Sequence, residues 1–422
     1  MKIEDLAREY EQLSQYKEYY FEHNPSSTTY ESYVLDIKKR AKDLLLEVPL
    51  PEDDSNASKA KYHFLCGQIL NLCVQYDPVC EEHLTKAVKM NGMLNKAWIE
   101  LGECVWKRAN FDRAIDCYKN SVEIEETPDG LVALSIALRS KLNQPLSVQD
   151  REAVHDQSIA WCKKALELNP TFGRAWYSMG TSWLTRYLRS SNSLYLTNSS
   201  KAYENAVKNG LRSADLHLNY SVSLRLQLRY AEALKHLNQA IAIEPVFKEA
   251  TDSKVVFESY LTKLQNSVNS KGQLSAKKME KFIKSLNDAD HLPLTKKGNV
   301  TVRNILPIAE LKTGSNEKSV VVGKVIAVVD NDLQIPSTMV ISDKDGNRIV
   351  VCVFKISQKF GVILGDSIAI PNPNVVEAQG IAAVPIRIVK VETPAVLLRN
   401  GKPVPRDQMA NYDVSVSLPS TS

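Results

Sequence analysis

The chain has no C-x-x-C pair, no apolar run of the length that crosses a bilayer, and no strong excess of charge of either sign. Each absence removes a class. Its seven cysteines are odd in number and scattered at Cys66, Cys73, Cys80, Cys104, Cys117, Cys162 and Cys352. That spacing argues against zinc and disulfide frameworks and for buried thiols in a reducing compartment. A net charge of +4 over 422 residues does not describe a dedicated nucleic-acid binder. A membrane span needs about 18 or more consecutive apolar residues, and none occurs. The opening "MKIEDLAREYEQL" lacks the apolar core of a secretory leader. The expected location is cytoplasmic and nuclear. Phosphate loops, G-x-S-x-G elbows and H-E-x-x-H motifs are missing too, and the seven histidines are scattered. Neither an enzyme nor a bound cofactor or metal is expected.

What the sequence does have is repetition. "KAWIELGECVWKRANFDRAIDCYKNSVEIEETP" carries Trp98, Leu101, Gly102, Phe111, Ala114 and Tyr118 at tetratricopeptide-repeat offsets. "DLHLNYSVSLRLQLRYAEALKHLNQAIAIEP" repeats the pattern with Tyr230, Ala233, Leu237, Ala240 and Pro245. Two looser units lie between them, one ending at "WCKKALELNP" and one holding "NPTFGRAWYSMGTSWL". A weaker unit centres on Gly67 and Ala87. In such repeats the small residues admit close helix contact and the aromatics fill the space that remains. His217 takes the Trp slot of its unit, a packing position.

After Leu294 the periodicity changes from helical to alternating. "SVVVGKVIAVV", "TMVISDKDG", "NRIVVCVFKI", "DSIAIPNP" and "PIRIVKVE" read as five strands, with "DKDGN" as a hairpin turn. A short helix is expected at "SQKFGVI". The pattern predicts an OB-fold. The fold class is therefore multidomain, α then β: a tetratricopeptide-repeat α-solenoid followed by a C-terminal OB-fold β-barrel. Expected boundaries are 1–58 for amino-terminal helices forming a degenerate first repeat and 59–268 for the solenoid with its capping helix. A basic linker with a short helix follows at 269–298, then the OB-fold at 299–405 and a disordered tail at 406–422. Between Ser319 and Glu392 the barrel has only Phe354 and Phe360 as aromatics, and its acids and bases balance. That is poor equipment for stacking on single strands.

The register set by Trp98, Trp176 and His217 names the residues of the groove. Repeat positions 2, 5, 6, 9 and 12 share one face of each first helix. Position 2 holds Lys96, Asp129, Arg174, Asp215 and, on the capping helix, Glu249. Position 6 holds Glu100, Ala133, Ser178, Asn219 and Ser253, and position 12 holds Trp106, Arg139, Leu184 and Arg225. Asp215 and Glu249 make an acidic end, and Arg139 with Arg174 a basic middle. A short peptide with a cationic group followed by an acidic one suits that order, with Asn219 on its backbone. The basic clamp by which co-chaperone repeats hold an acidic carboxyl terminus is absent, since its positions carry Phe64, Gln68, Glu100, Asp129 and Ala133.

"GVILGDSIAIPNPN", "VETPAVLLRNGKP", "DLHLNYSVSL" and "SKGQLSAKK" together resemble the tetratricopeptide repeat protein five family, also called Strap, stress-responsive activator. The resemblance implies a ribosome-associated factor that recognises the first residues of nascent α- and β-tubulin, Met-Arg-Glu-Ile or Met-Arg-Glu-Cys. Such a factor works beside ribosomal RNA and exit-tunnel proteins. It recruits an adaptor linked to a deadenylase complex, and tubulin mRNA then decays. By resemblance Arg139 would bind the acidic residue of the motif, and Asp215 and Glu249 its amine and arginine. Lys271, Lys277 and Lys278 would contact the ribosome. The alternative is a nuclear scaffold for a histone acetyltransferase and for p53-type stress-responsive transcription cofactors. A third reading, RNA binding by the barrel, is opposed by its charge balance and few aromatics. No membrane is implied.

Overall fold

The computed structural model describes residues 3–25, 29–46, 48, 55–269, 275–287, 304–331, 335–379 and 385–410. The helices are α1 (Ile3–Glu18), α2 (Tyr20–His23), α3 (Tyr30–Leu46), α4 (Asn56–Asn71), α5 (Pro78–Met90), α6 (Asn95–Lys107), α7 (Phe111–Ile124) and α8 (Pro128–Ser140). They continue as α9 (Val148–Leu168), α10 (Gly173–Ser190), α11 (Ser193–Lys208), α12 (Ala214–Leu226), α13 (Tyr230–Ile243), α14 (Lys248–Asn269) and α15 (Ala276–Lys284). From α4 to α13 they pair as helical hairpins, one pair per repeat.

Local chemistry explains the hairpins. Asp77 caps α5 through the Val79 amide and Thr127 caps α8 through the Gly130 amide, each followed by a proline in the first turn. A tertiary contact explains the glycines. A Cβ on Gly102 would sit 2.4 Å from the Tyr118 ring, and one on Gly180 would sit 2.6 Å from Tyr203. In these two pairs only glycine lets the second helix seat its tyrosine. The Trp slot has a polar reason as well. Trp98 Nε1 donates to the Gly92 carbonyl at 2.8 Å, and Trp176 Nε1 donates to Pro170 at 2.9 Å. In both repeats the indole ties the helix to the turn six residues before it. The seven cysteines are all buried and free.

The chain divides into two compact units. The first comprises Met1–Arg186, Thr197–Leu216 and Ala240–Lys248. The second comprises Tyr187–Leu196, His217–Gln239 and Glu249–Ser422. In the first, the amino-terminal helices expected to form a degenerate repeat are tied down by Arg212. Its guanidinium pairs with Glu22, donates to the Glu18 carbonyl at 3.1 Å and lies over the Tyr19 ring.

The second unit holds the β-sheet: β1 (Asn304–Ile305), β2 (Gly314–Ser315), β3 (Ser319–Val329), β4 (Ser337–Ser342), β5 (Arg348–Val353), β6 (Ser367–Pro371), β7 (Asn374–Ala378), β8 (Ile386–Val391), β9 (Leu398–Arg399) and β10 (Lys402–Pro403). Their order is β10-β9-β6-β3-β4-β5-β8-β7-β2, with β1 parallel to β3 and β5 parallel to β8. Val321, Val325, Met339, Ile341, Val351, Ile368 and Val389 pack the interior. The turn "DKDGN" closes β4 onto β5: the Asp343 carboxylate accepts the Asp345 and Asn347 amides, and Gly346 takes a φ of +83°.

Three expectations about this half need correction. "SQKFGVI" forms turns and no helix, because Ser357 accepts the Lys359 amide and bonds the Asp407 carbonyl, while Asp366 holds the Ile363 amide. Side chains there take the backbone bonds a helix would need. "NVVEA" adds a strand, β7, antiparallel to β8, beyond the five expected. Arg406–Ala410, assigned to the tail, instead belong to the barrel: Met409 bridges Ile356, and the Ala410 amide donates to Lys355 at 2.8 Å. Residues 411–422 lie outside the described residues. Within the same unit α14 and α15 pack on the sheet. Tyr260 on α14 meets Thr338 on β4 at 3.0 Å, Phe282 on α15 covers Gly365, and Leu286 joins Val320, Val322, Ala369 and Leu398.

Candidate peptide groove

Arg139 ends α8, and its Nη1 sits among serine hydroxyls. Those of Ser135, Ser158, Ser178 and Ser182 lie 2.8–3.3 Å away, and the Ser178 carbonyl lies at 3.2 Å. The serines come from α8, α9 and α10 and are themselves buried. No carboxylate pairs with this guanidinium among the described residues. Among the described residues its other nitrogens make no hydrogen bond, and the residue as a whole is part-buried. Burial pulls its pKa below the ordinary arginine value, yet arginine stays charged across working pH. The result is a desolvated cation with donors to spare and no counter-charge among the described residues.

The other candidates divide. Arg174 on α10 is exposed and engaged, with Asp129 at 3.2 Å and Glu103 at 3.6 Å. Asp215, at the start of α12, is half-buried, and its charge together with that of Glu244 acts on the Tyr30 phenol. Arg139, Arg174 and Asp215 belong to the first unit, while Asn219 and Glu249 belong to the second. Asn219 is buried at 4% exposure and Glu249 is exposed on α14. Lys277 and Lys278 are exposed on α15, and Lys271 lies outside the described residues. The two barrel aromatics, Phe354 and Phe360, are 2% and 8% exposed, so neither offers a ring for stacking.

Sequence reasoning missed how α1 meets the groove face of the first repeats. The Tyr10 phenol lies among Gln68, Glu100, Glu103 and Arg174, all groove-face positions of α4, α6 and α10, and burial raises its pKa to about 12. Lys17 is part-buried near Lys107, Glu103 and Glu100, and desolvation lowers its pKa. Beneath them Glu100 accepts from Gln68 at 3.1 Å and from Asn71 at 2.6 Å, while Lys107 donates to Asn71 Oδ1 at 2.6 Å. Burial, then the Glu103 charge, raises Glu100 to about 7. The serine cage was also missed in part. Ser178 stood on the groove face, but Ser158 belongs to a second helix that the register does not cover.

Helical hairpins with the tetratricopeptide grammar, followed by an OB-fold, define a repeat protein of the kind that binds other proteins through its solenoid. The family described as "Tetratricopeptide repeat protein 5 OB fold domain" matches residues 303–413. The chain is 31% identical over 359 residues to Tetratricopeptide repeat protein 5 of Homo sapiens, covering 82% of this chain and 81% of that one. It is 30% identical over 371 residues to the Mus musculus protein, covering 85% and 84%. Among solved structures it is similar to YrrB, titled a TPR protein with an unusual peptide-binding site. That likeness has 16% identity and a TM-score of 0.33, covering 51% of this chain and 97% of that one. The chain belongs to the tetratricopeptide repeat protein 5 family.

Proposed function

We propose that the chain is an adaptor that reads the amino terminus of nascent tubulin at the ribosome. The observation that carries this reading is Arg139: a desolvated, part-buried guanidinium, held by serines and without a carboxylate among the described residues. A glutamate in the third position of the tubulin motif supplies the missing charge. Asp215 and Glu249 supply carboxylates for the motif's amine and arginine. Each charge-assisted hydrogen bond contributes roughly 1.5–3 kcal/mol. Attachment to the ribosome, through the exposed Lys277 and Lys278 with Lys271, raises the local peptide concentration, so that micromolar affinity suffices. The bound adaptor then recruits the machinery that deadenylates tubulin mRNA.

The test is binding of the purified chain to a fluorescent Met-Arg-Glu-Ile peptide, beside an acetylated copy and a Glu-to-Lys copy. The unmodified peptide is expected to bind at least about tenfold tighter than either copy, a difference of about 1.4 kcal/mol. Arg139→Ala and Asp215→Arg are expected to remove that preference. Equal binding of the three peptides would sink the reading.

A further inference from the structure

The Arg139 arrangement occurs twice in the register. Arg139 stands at position 12 of its repeat and meets Ser178 at position 6 of the next first helix. Arg225 stands at position 12 of α12 and donates from Nη1 to Ser253, at position 6 of α14, at 3.3 Å. At position 10 of the following helix the first arrangement has Ser182, whose hydroxyl accepts from Arg139 Nη1 at 3.0 Å. The second has Phe257, whose ring lies 5.2 Å from the Arg225 guanidinium carbon. The substitution removes an acceptor and leaves Arg225 Nε buried with no partner. Nη2 makes no hydrogen bond among the described residues, and Arg225 as a whole is part-buried.

Among the described residues no carboxylate pairs with this group, Ser253 is its one hydrogen-bond partner, and the one side chain acting on its charge is the Tyr230 phenol. Burial pulls its pKa down to about 10, so it is still a cation at neutral pH. Desolvating a cation without a counter-charge costs free energy. Packing alone would be served as well by Met or Leu, which carry no such cost.

We propose that Arg225 and Ser253 form a second carboxylate-binding site, which takes an acidic side chain of a peptide bound along the solenoid. The proposal deepens the groove reading and rests on the premise that peptides enter this face. A carboxylate presents two acceptors to the planar guanidinium edge, and Phe257 behind it excludes water and strengthens the pair. A peptide that carries an acidic side chain would then be preferred over its amide counterpart at this site.

The experiment uses the full chain with 15N-labelled arginine side chains. The Nε–H signals of Arg139 and Arg225 are assigned with Arg139→Gln and Arg225→Gln, or with Arg225→Lys should the glutamine variant fail to fold. The probe is acetyl-Ala-Glu-Ala-amide, with its Gln copy as control. Saturable movement of the Arg225 signal, at least about tenfold weaker with the Gln copy and weakened further by Ser253→Ala, is the expected result. A stationary Arg225 signal, or equal responses to both copies, overturns the proposal. Movement of Arg139 alone removes this site and leaves the proposed function standing. Movement of Arg225 alone does the reverse.

Discussion

Two stretches of one solenoid treat a groove-face charge in opposite ways. Across α4 and α6, Glu100 has its hydrogen bonds supplied by its own chain: Gln68 and Asn71 donate to it, Lys107 fixes Asn71, and α1 brings Tyr10 and Lys17 against the face. Across α8 and α10, Arg139 has hydroxyls and a carbonyl but no opposite charge among the described residues. Polar residues on a repeat face therefore do not all announce a binding site. The informative ones are those whose electrostatic demand the chain leaves unmet.

The largest expected effect tests that contrast through stability. Glu100→Ala strips buried donors of Gln68 and Asn71 of their acceptor, and each unsatisfied group costs about 1–3 kcal/mol. A loss of roughly 2–4 kcal/mol is expected. Arg139→Met replaces an unpaired desolvated cation with an apolar chain of similar length. It is expected to leave stability within about 1 kcal/mol or to raise it, since removing such a charge relieves its desolvation. Urea midpoints of the two variants decide the matter. Equal losses would erase the distinction between a satisfied and an unsatisfied charge.

A smaller effect follows from the pH dependence of Glu100. Its folded pKa is raised to about 7 from 4.5. Between those values the folded chain binds a proton that the unfolded chain does not, so this group's contribution weakens stability as pH rises from about 4.5 to 7. Glu100→Gln keeps the size and one acceptor but cannot ionise. Its stability relative to the parent is expected to improve steadily across that window. A difference between the two that does not change with pH would mean that Glu100 is ionised throughout.

The legible parts of the molecule were those that rest on local rules. The repeat grammar could be read because Gly102 and Gly180 face tyrosines of their own hairpins, and Trp98 and Trp176 bond turns six residues away. Arg139 could be reached from register, because helical period fixes a face. The cage around it could not, since Ser158 approaches from a second helix. The approach of α1 to the groove face was hidden for another reason: Tyr10 meets residues up to Arg174, and no local pattern encodes contacts of that separation. In the barrel, the main strands showed as alternation, but in "NVVEA" the buried residues are Val375 and Ala378, three apart and out of step with a period of two, too short a signal to separate from a loop. "SQKFGVI" suggests a helix only by its place between the third and fourth strands, and its failure to form one is decided by Asp366 and the Asp407 carbonyl, both outside it.

The smallest expected effect sharpens the contrast in the second unit. His217, in the slot that Trp98 and Trp176 fill elsewhere, stacks on His236 with Nδ1 atoms 2.8 Å apart. Burial, then the neighbouring imidazole, lowers His217 to about 4; burial, then Lys235, lowers His236 to about 4. Above pH 6.5 neither state is protonated, and the pair is neutral about pH. As pH falls below 6.5 the unfolded chain takes up protons first, so the pair's contribution to stability is lost progressively down to about 4. That slope is opposite in sign to the one from Glu100 over the range they share, and total stability would hide both. The difference between the parent and His217→Phe isolates it. The variant is expected to gain relative to the parent as pH drops from 6.5 toward 4, while Glu100→Gln loses its relative advantage over the same interval. Parallel curves for His217→Phe and the parent would show that the imidazoles titrate normally, and that the slot holds its histidine without a desolvation cost.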